Sequence, residues 1–344
     1  MPSAPLLPGT VPLDPAEVLS WLDRLRGCRV LCVGEAIIDE YAYCDVLGKS
    51  SKEPILAVNE RRRDVFAGGI LAVARHLAAL GARPSVLTAV GTEGRYQRVI
   101  DEALEGAQHI DLVTLSTAPT IVKRRYIDAY FSQKLFEVYE MEDKLPPEDE
   151  AAIVSRLEAA LADHDVVLCI DFGHGLVTRG VAELLSAKAA FLAVNAQVNA
   201  GNRGFNTITK FPAMTHVSLT ESELRLELRD RERPLEALVE ELHARLGFRR
   251  ASITRGAAGC LFWEPDAAPV TLPALSDHVV DRIGAGDAFL SAVAPLTALG
   301  APSSVTALIG SAVAAEAVGI VGNQTAVDPD DVRRRVRATL GAPT

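Results

Sequence analysis

The sequence predicts an α/β fold: a three-layer domain on a mostly parallel central sheet, with a small β-sheet lid attached. Three observations carry the prediction. Short apolar runs at 29–33, 85–90, 166–170, 191–194 and 250–254 show little of the alternation expected of a strand with one wet face, which marks strands covered on both sides. Helical patterns separate these runs, and strands joined by helical crossovers lie parallel. Two stretches differ: 41–63 and 121–142 alternate apolar with polar residues and are rich in β-branched and aromatic types, as half-buried strands are. These two are assigned to the lid.

Residues 1–13 are rich in proline and small side chains, so a poorly ordered start is expected. Asp14 followed by Pro15 reads as an N-cap and first helical residue, opening a helix to residue 25. The run 29–33 is a buried strand ending at Gly34, 68–80 is a helix closed by Gly81, and 85–90 is a strand. An amphipathic helix covers 148–162, strands follow at 166–170 and 191–194, and a helix at 235–246 stops at Gly247, a residue type suited to the helix C-terminus. The strand 250–254 precedes Gly256, and two strongly apolar helices, 287–299 and 304–318, follow. The chain divides into an N-terminal extension with a helix, 1–27, and one large domain, 28–340, with lid strands at about 41–63 and 121–142. No internal repeat or low-complexity linker divides it further.

At 344 residues, with 49% hydrophobic and 23% charged residues, the chain can bury a sizeable core. Its net charge of −10 repels phosphate backbones at long range and argues against nucleic-acid binding. The five cysteines, Cys28, Cys32, Cys44, Cys169 and Cys260, are scattered and odd in number, which argues against a disulfide framework or a thiolate metal site. The histidines show no spacing suited to zinc. The string at 43–50 fails as a P-loop because Tyr43 stands where the first glycine is required. With no leader and no apolar stretch of spanning length, the expectation is a cytoplasmic protein without a membrane partner.

The chemistry concentrates in Asp281-Arg-Ile-Gly-Ala-Gly-Asp-Ala-Phe289, which precedes a very apolar helix. Gly284, Ala285 and Gly286 permit a tight turn and the close approach of an anion. The backbone N–H groups of Ala285, Gly286 and Asp287 then point outward at a helix N-terminus, which suits a phosphate and the charge that develops as it is transferred. Asp287, beside that anion hole, is placed to accept the proton of an attacking hydroxyl. Positioning, charge neutralisation and a base are what phosphoryl transfer requires. An isolated G-x-G-D reads equally as a glycine turn with an Asp N-cap; the longer string separates the two readings.

That string resembles the C-terminal signature of the PfkB/ribokinase family of carbohydrate kinases, and the resemblance extends over roughly 29–327. The first half is similar to the kinase domain of the bacterial heptose 7-phosphate kinase/ADP-heptose synthase group. Val33-Gly-Glu-Ala-Ile-Ile-Asp39 resembles that group's opening strand with its sugar-facing Asp, and Ser51-Lys-Glu-Pro-Ile-Leu-Ala-Val58 its lid stretch. Ala67-Gly68-Gly69 resembles the N-terminal glycine signature, Thr120-Ile-Val-Lys123-Arg-Arg125 the strand that returns to the sugar, and Asp171-Phe-Gly-His174-Gly175 the motif D-Y-G-K-G. The resemblance implies a ribokinase-like fold and transfer of the γ-phosphate of ATP to a hydroxyl of a sugar or sugar phosphate. Asp287 would be the general base, and a heptose 7-phosphate-like substrate is favoured. It implies that Ser218, Thr254, Gly256 and Gly259 line the nucleotide and that Glu221 organises Mg²⁺ through water. Asp281 would hold a monovalent cation, K⁺. It further implies a homodimer formed through the lid, and a separate nucleotidyltransferase acting next on the sugar 1-phosphate.

Several sugar-side positions depart from the family pattern. Gly69 is followed by Ile70-Leu71-Ala72 where the family continues A-A-N, Ser218 replaces the Asn of N-x-x-E, Asn195-Ala196-Gln197 replaces D-P-K, and His174 replaces a Lys. Retained catalytic elements with altered sugar-reading ones fit a kinase for another acceptor: an unphosphorylated sugar, a cyclitol or a nucleoside. They also fit a catalytically silent nucleotide- or sugar-binding protein on the same fold. Lys123, Arg125 and His174 are candidate substrate contacts; the alternatives are a solvated lid strand for the first two and a buried turn residue for His174. The polar loop 195–206, with Asn195, Gln197 and Arg203 as its candidate ligands, follows a buried strand, where α/β sheets bind substrates. Its asparagines can equally bond their own backbone.

Overall fold

The structure is a computed structural model that describes residues 13–276 and 278–342. The expectation of a poorly ordered start thus falls almost wholly outside the described residues. Helix α1 (Pro15–Asp23) begins where the sequence places it, with Asp14 Oδ1 accepting the Ala16 N–H. Strands β1 (Arg29–Gly34), β2 (Ala36–Lys49) and β3 (Leu56–Gly69) lead to α2 (Ile70–Ala79), β4 (Arg83–Val90), α3 (Gln97–Leu104), β5 (His109–Thr114), β6 (Ile121–Asp128) and β7 (Lys134–Glu140). The second half runs α4 (Pro147–Ala160), β8 (Val166–Asp171), α5 (Arg179–Lys188), β9 (Leu192–Ala196), β10 (His216–Thr220), α6 (Glu221–Leu228), α7 (Leu235–Leu246), β11 (Arg250–Thr254), β12 (Cys260–Trp263) and β13 (Val270–Leu272). Helices α8 (Ala285–Ala298), α9 (Ser303–Ala317) and α10 (Pro329–Thr339) complete the described chain.

Among the described residues the central sheet has nine strands in the order β13-β12-β11-β10-β9-β8-β1-β4-β5. All pairs from β11 to β5 are parallel, and β12 and β13 add an antiparallel edge. Successive side chains of a strand point to opposite faces, and here both faces are covered. Leu31 and Val33 pack under α4, α5 and α7, while Val30 and Cys32 pack under α2, α3 and α8. Helices α1, α9 and α10 cover the β12–β13 end. Burial on both faces, at about 1.5–3 kcal/mol for each fully covered Leu, Val or Phe, explains the near-continuous apolar runs. Strand β10 escaped the apolar pattern because His216 and Ser218 are buried polar residues. His216 Nε2 lies 3.0 Å from Ser252 Oγ, which donates to Ser218 Oγ at 3.1 Å, so a hydrogen-bonded ladder replaces apolar packing.

A second sheet, in the order β3-β2-β6-β7, forms the lid. It is longer than the alternating pattern suggested, because β2 begins at Ala36, directly after β1, and its first residues are buried. The helix predicted from residue 68 starts instead at Ile70: Gly68 and Gly69 end β3, paired with Ile37 and Ala36. The chain proceeds from β1 to β4 and β5 on one side, then returns to place β8 on the other side of β1. Such a reversal of strand order opens a crevice at the carboxyl ends of the strands, and the lid stands over it.

Candidate active site

The carboxyl ends of β8 to β11, the lid strands and the turn before α8 enclose a cavity of about 400 Å³. Of the residues singled out in the sequence, Asp39, Gly69, Lys123, Arg125, Asn195, Gln197, Ser218, Thr254, Gly284, Gly286 and Asp287 line it. They come from positions more than two hundred residues apart, and the topology brings them to one wall.

The turn is built as its glycines demand. Gly284 is the N-cap of α8 with φ 81°, a left-handed conformation that side chains other than glycine's adopt at a cost. A Cβ at Gly284 would also lie 1.8 Å from Asn323 Oδ1. The N–H groups of Ala285, Gly286 and Asp287 belong to the first turn of α8 and have no acceptor within the helix. Asp287 follows in that turn, 8% exposed. Gln197 donates from Nε2 to Asp287 Oδ1 at 3.1 Å, and the Gln197 backbone is held by Asp171 O at 2.9 Å. Burial, with the Asp39 charge second, pushes the Asp287 carboxyl up to about 7, while Lys123 and the Gln197 hydrogen bond pull it down. A base with a pKa near neutrality suits proton abstraction at physiological pH.

On the lid side, Asp39 of β2 forms an ion pair with Arg125 of β6, and Lys123 is its register neighbour. A Cβ at Gly68 would lie 2.1 Å from Asp39 Oδ2, so glycine at this position gives that carboxylate its space. Arg125 also reaches Glu137 at 3.4 Å. Lys123 is buried, with its Nζ 5.3 Å from the Tyr139 ring centroid and 5.7 Å from that of Phe172. Burial lowers its pKa, and Asp39 opposes that shift. Among the described residues no carboxylate stands within ion-pair distance of Lys123 or of Arg282, which also lines the cavity.

Other candidates are placed elsewhere. The loop 195–206 follows mainly its second reading. Asn199 and Asn202 donate to Phe172 O at 2.7 and 3.0 Å, and Asn206 donates to Asp171 O at 3.0 Å, fastening the loop to the end of β8. Asn195 donates to Ser218 O at 2.8 Å, yet lines the cavity. Arg203 is exposed and lies outside the lining, because the loop turns there at φ 49°. His174 faces a separate small cavity beside Glu35; burial, helped by the Lys123 charge, depresses its imidazole to about 3 and keeps it neutral. Gly256 and Gly259 also lie outside the lining; a Cβ on Gly259 would meet Leu272 O at 1.9 Å, so that glycine serves strand packing. Glu221 is committed to Arg225 and Arg255 at 2.8 and 3.1 Å.

Asp281 is buried behind the turn. It accepts hydrogen bonds from Tyr41 Oη at 2.5 Å, Lys134 Nζ at 2.8 Å, and the Ile283 and Gly322 N–H groups at 3.2 Å each. Burial raises its carboxyl, but the Lys134 and Tyr41 contacts override this and hold it below the usual carboxylate range. The sequence reading missed Arg282, Asn323, Glu137, Tyr139, Phe172 and Glu223, all of which line the cavity. Arg282 was within reach, since it lies inside the 281–289 string; the others carry no local signal.

Residues 28–330 match the model of the pfkB family of carbohydrate kinases. The chain belongs to that family. Curated relatives include the bifunctional protein HldE of Paramagnetospirillum magneticum, 29% identical over 313 residues, covering 89% of this chain and 62% of the relative. The bifunctional protein HldE of Pectobacterium atrosepticum is 28% identical over 325 residues, covering 92% and 65%. The chain thus spans just under two thirds of the length of these relatives. Among solved structures, Arabidopsis thaliana ribokinase complexed with ribose and ATP superposes with a TM-score of 0.66 at 17% identity, covering 92% of this chain and 100% of that one. Escherichia coli phosphofructokinase-2 in complex with potassium gives 0.70 at 13% identity, covering 91% and 99%. The family and the fold inferred from the motifs are both borne out.

Proposed function

We propose that this pfkB-family kinase transfers the γ-phosphate of ATP to a hydroxyl of a phosphorylated sugar, with a heptose 7-phosphate-like acceptor favoured. The observation that carries the reading is one cavity holding both a carboxyl tuned to about 7 at a helix N-terminus and a buried lysine without a carboxylate partner among the described residues. Asp287 takes the acceptor's proton, and Gln197 fixes the carboxylate's orientation. The N–H groups of residues 285–287 stabilise charge on the moving phosphoryl group. Lys123 and Arg282 offer cations to the acceptor's own phosphate, while Asp39, held by Arg125, is placed to bond a sugar hydroxyl. The resemblance of the first half to heptose 7-phosphate kinases, and relatives that bear the name HldE, support this choice of acceptor. Thr254, at the end of β11, and Ser218, within the adjacent β10, are assigned to the nucleotide side.

Of the carboxylates that line this end of the cavity, Asp287 fits a hydrated Mg²⁺ and would meet it through its waters, whereas Glu223 already accepts the Val198 and Thr220 N–H groups on its two oxygens and Glu221 would have to leave Arg225 or Arg255. When bound, the ion neutralises phosphate charge. K⁺ at Asp281 does not fit, because hydrogen-bond donors already occupy both carboxylate oxygens. Exposed apolar residues on the lid, Leu47, Ile55 and Leu56, support lid-to-lid pairing in a homodimer, which light scattering would test. A cytoplasmic location and a separate nucleotidyltransferase acting on the product belong to the same proposal.

The test is ADP release with Mg²⁺-ATP over a panel of heptose 7-phosphate, hexose phosphates, free hexoses, cyclitols and nucleosides, with Asp287→Asn alongside. A phosphorylated responder that is lost in the variant supports the reading. A neutral responder overturns the acceptor class. Silence across the panel while ATP still binds favours a silent binding protein.

A further inference from the structure

The carboxylate that precedes the phosphate-binding turn is served by a side chain from the lid. An ionised carboxylate offers about four lone-pair sites, and at Asp281 four donors fill them. These are Tyr41 Oη at 2.5 Å and Gly322 N at 3.2 Å on Oδ2, and Lys134 Nζ at 2.8 Å and Ile283 N at 3.2 Å on Oδ1. A metal ion would have to displace one of them and would then sit against an ammonium of like charge. The surroundings of Lys134 suit a held cation. Its Nζ lies 5.5 Å from the Tyr41 ring centroid, so the charge sits between a carboxylate and an aromatic face. Asp281 in turn fixes the Ile283 N–H, one residue before the Gly284 turn. Lys134 opens β7 and Tyr41 lies on β2, so two lid strands converge on this one carboxylate.

We propose that Lys134 acts as a tethered monovalent cation behind the phosphate-binding turn, so that this protein needs no K⁺ or Na⁺ at Asp281. The lid thereby becomes part of what shapes the turn. The proposal rests on the reading of residues 284–287 as the phosphate-binding turn, and its test is chosen to stand apart from the acceptor's identity. Lys134 is a positioning residue, since it acts through Asp281 and Ile283.

The experiment compares the full chain with Lys134→Ala and Lys134→Arg in choline chloride and in KCl of equal ionic strength. The readouts are the melting temperature and the Mg²⁺-ATP dissociation constant by calorimetry. The wild type is expected to give the same values in both salts. Lys134→Ala should bind ATP about tenfold more weakly in choline, the loss of one charge-assisted contact. KCl should restore both its ATP affinity and its melting temperature. Lys134→Arg should behave as the wild type. A wild type that melts higher or binds ATP tighter in KCl than in choline overturns the proposal. So does a Lys134→Ala protein that ignores K⁺. If no form binds ATP, the kinase reading fails, and the melting temperatures still decide the role of Lys134. If Lys134→Ala does not fold in choline, folding regained in KCl supports the proposal, and failure in both salts leaves the wild-type and Lys134→Arg comparison to decide it.

Discussion

Replacing Gln197 by leucine keeps the bulk of the side chain and removes the Nε2–H that reaches Asp287 Oδ1 at 3.1 Å. That N–H favours the ionised carboxylate only, so it works against burial and Asp39, which together place the group at about 7. A hydrogen bond to a charged group contributes about 1.5–3 kcal/mol, and Gln197 is only half-buried, so water recovers part of it; a net loss of about 1.4 kcal/mol is about one pH unit. In the wild type, kcat/KM should climb through an apparent pKa near 7 and level off, because the ionised form is the base. In Gln197→Leu the climb should come about one unit later. Activity near about pH 6 then falls about tenfold, while the plateau at about pH 9 stays within about twofold. The assay is ADP release across that pH span with an acceptor drawn from the panel. A uniform loss at every pH, with the acid limb unmoved, would refute the reasoning and make Gln197 a substrate ligand.

Asp287→Asn should lower kcat by about a hundredfold or more, the usual range for a lost general base. It should also change stability in a defined sense. The folded carboxyl sits at about 7, above the roughly 3.9 of an unfolded chain, so the native state holds the extra proton and wild-type stability falls as pH rises between these values. Asp287→Asn should therefore melt higher than the wild type near about pH 8 and match it near about pH 4; equal melting at both would show that the carboxyl is not raised. Gly284→Ala forces a side chain into a left-handed position against Asn323, at about 1–3 kcal/mol for the strain alone. Both ATP affinity and melting temperature should fall, and an unaffected variant would mean that the turn has another shape. Lys123→Met should raise KM for a phosphorylated acceptor about tenfold or more and leave KM for ATP unchanged. Arg203→Ala should leave the acceptor KM unchanged, since the side chain lies outside the cavity; a raised KM would return loop 195–206 to substrate recognition.

Much of the site was legible because its chemistry is local. The turn at 284–286 needs small residues in a row, and Asp287 stands next to them in the chain, so one nine-residue string carries both the proposed anion hole and the proposed base. Residues whose function depends on a distant partner were read less well. His174 stands where the family motif has a lysine but faces a separate small cavity beside Glu35. Glu221 looked available for a metal, yet Arg225 one turn along its helix and Arg255 on the neighbouring connection hold it. Gln197, a candidate sugar ligand, lines the cavity and also donates to Asp287, a contact 90 residues away that no local pattern signals.

The sequence by itself determined the layer architecture, since strands covered on both faces are mostly apolar, while strands with one wet face alternate. It also determined the turn before α8, because glycine combines the left-handed backbone needed at 284 with close approach. Tertiary structure alone decided which charges meet: Lys134 with Asp281, Arg125 with Asp39, Gln197 with Asp287. These pairs span 147, 86 and 90 residues. No periodicity or spacing carries such information, because contact between side chains so far apart is set by the register of the lid and the reversal of strand order beside β1.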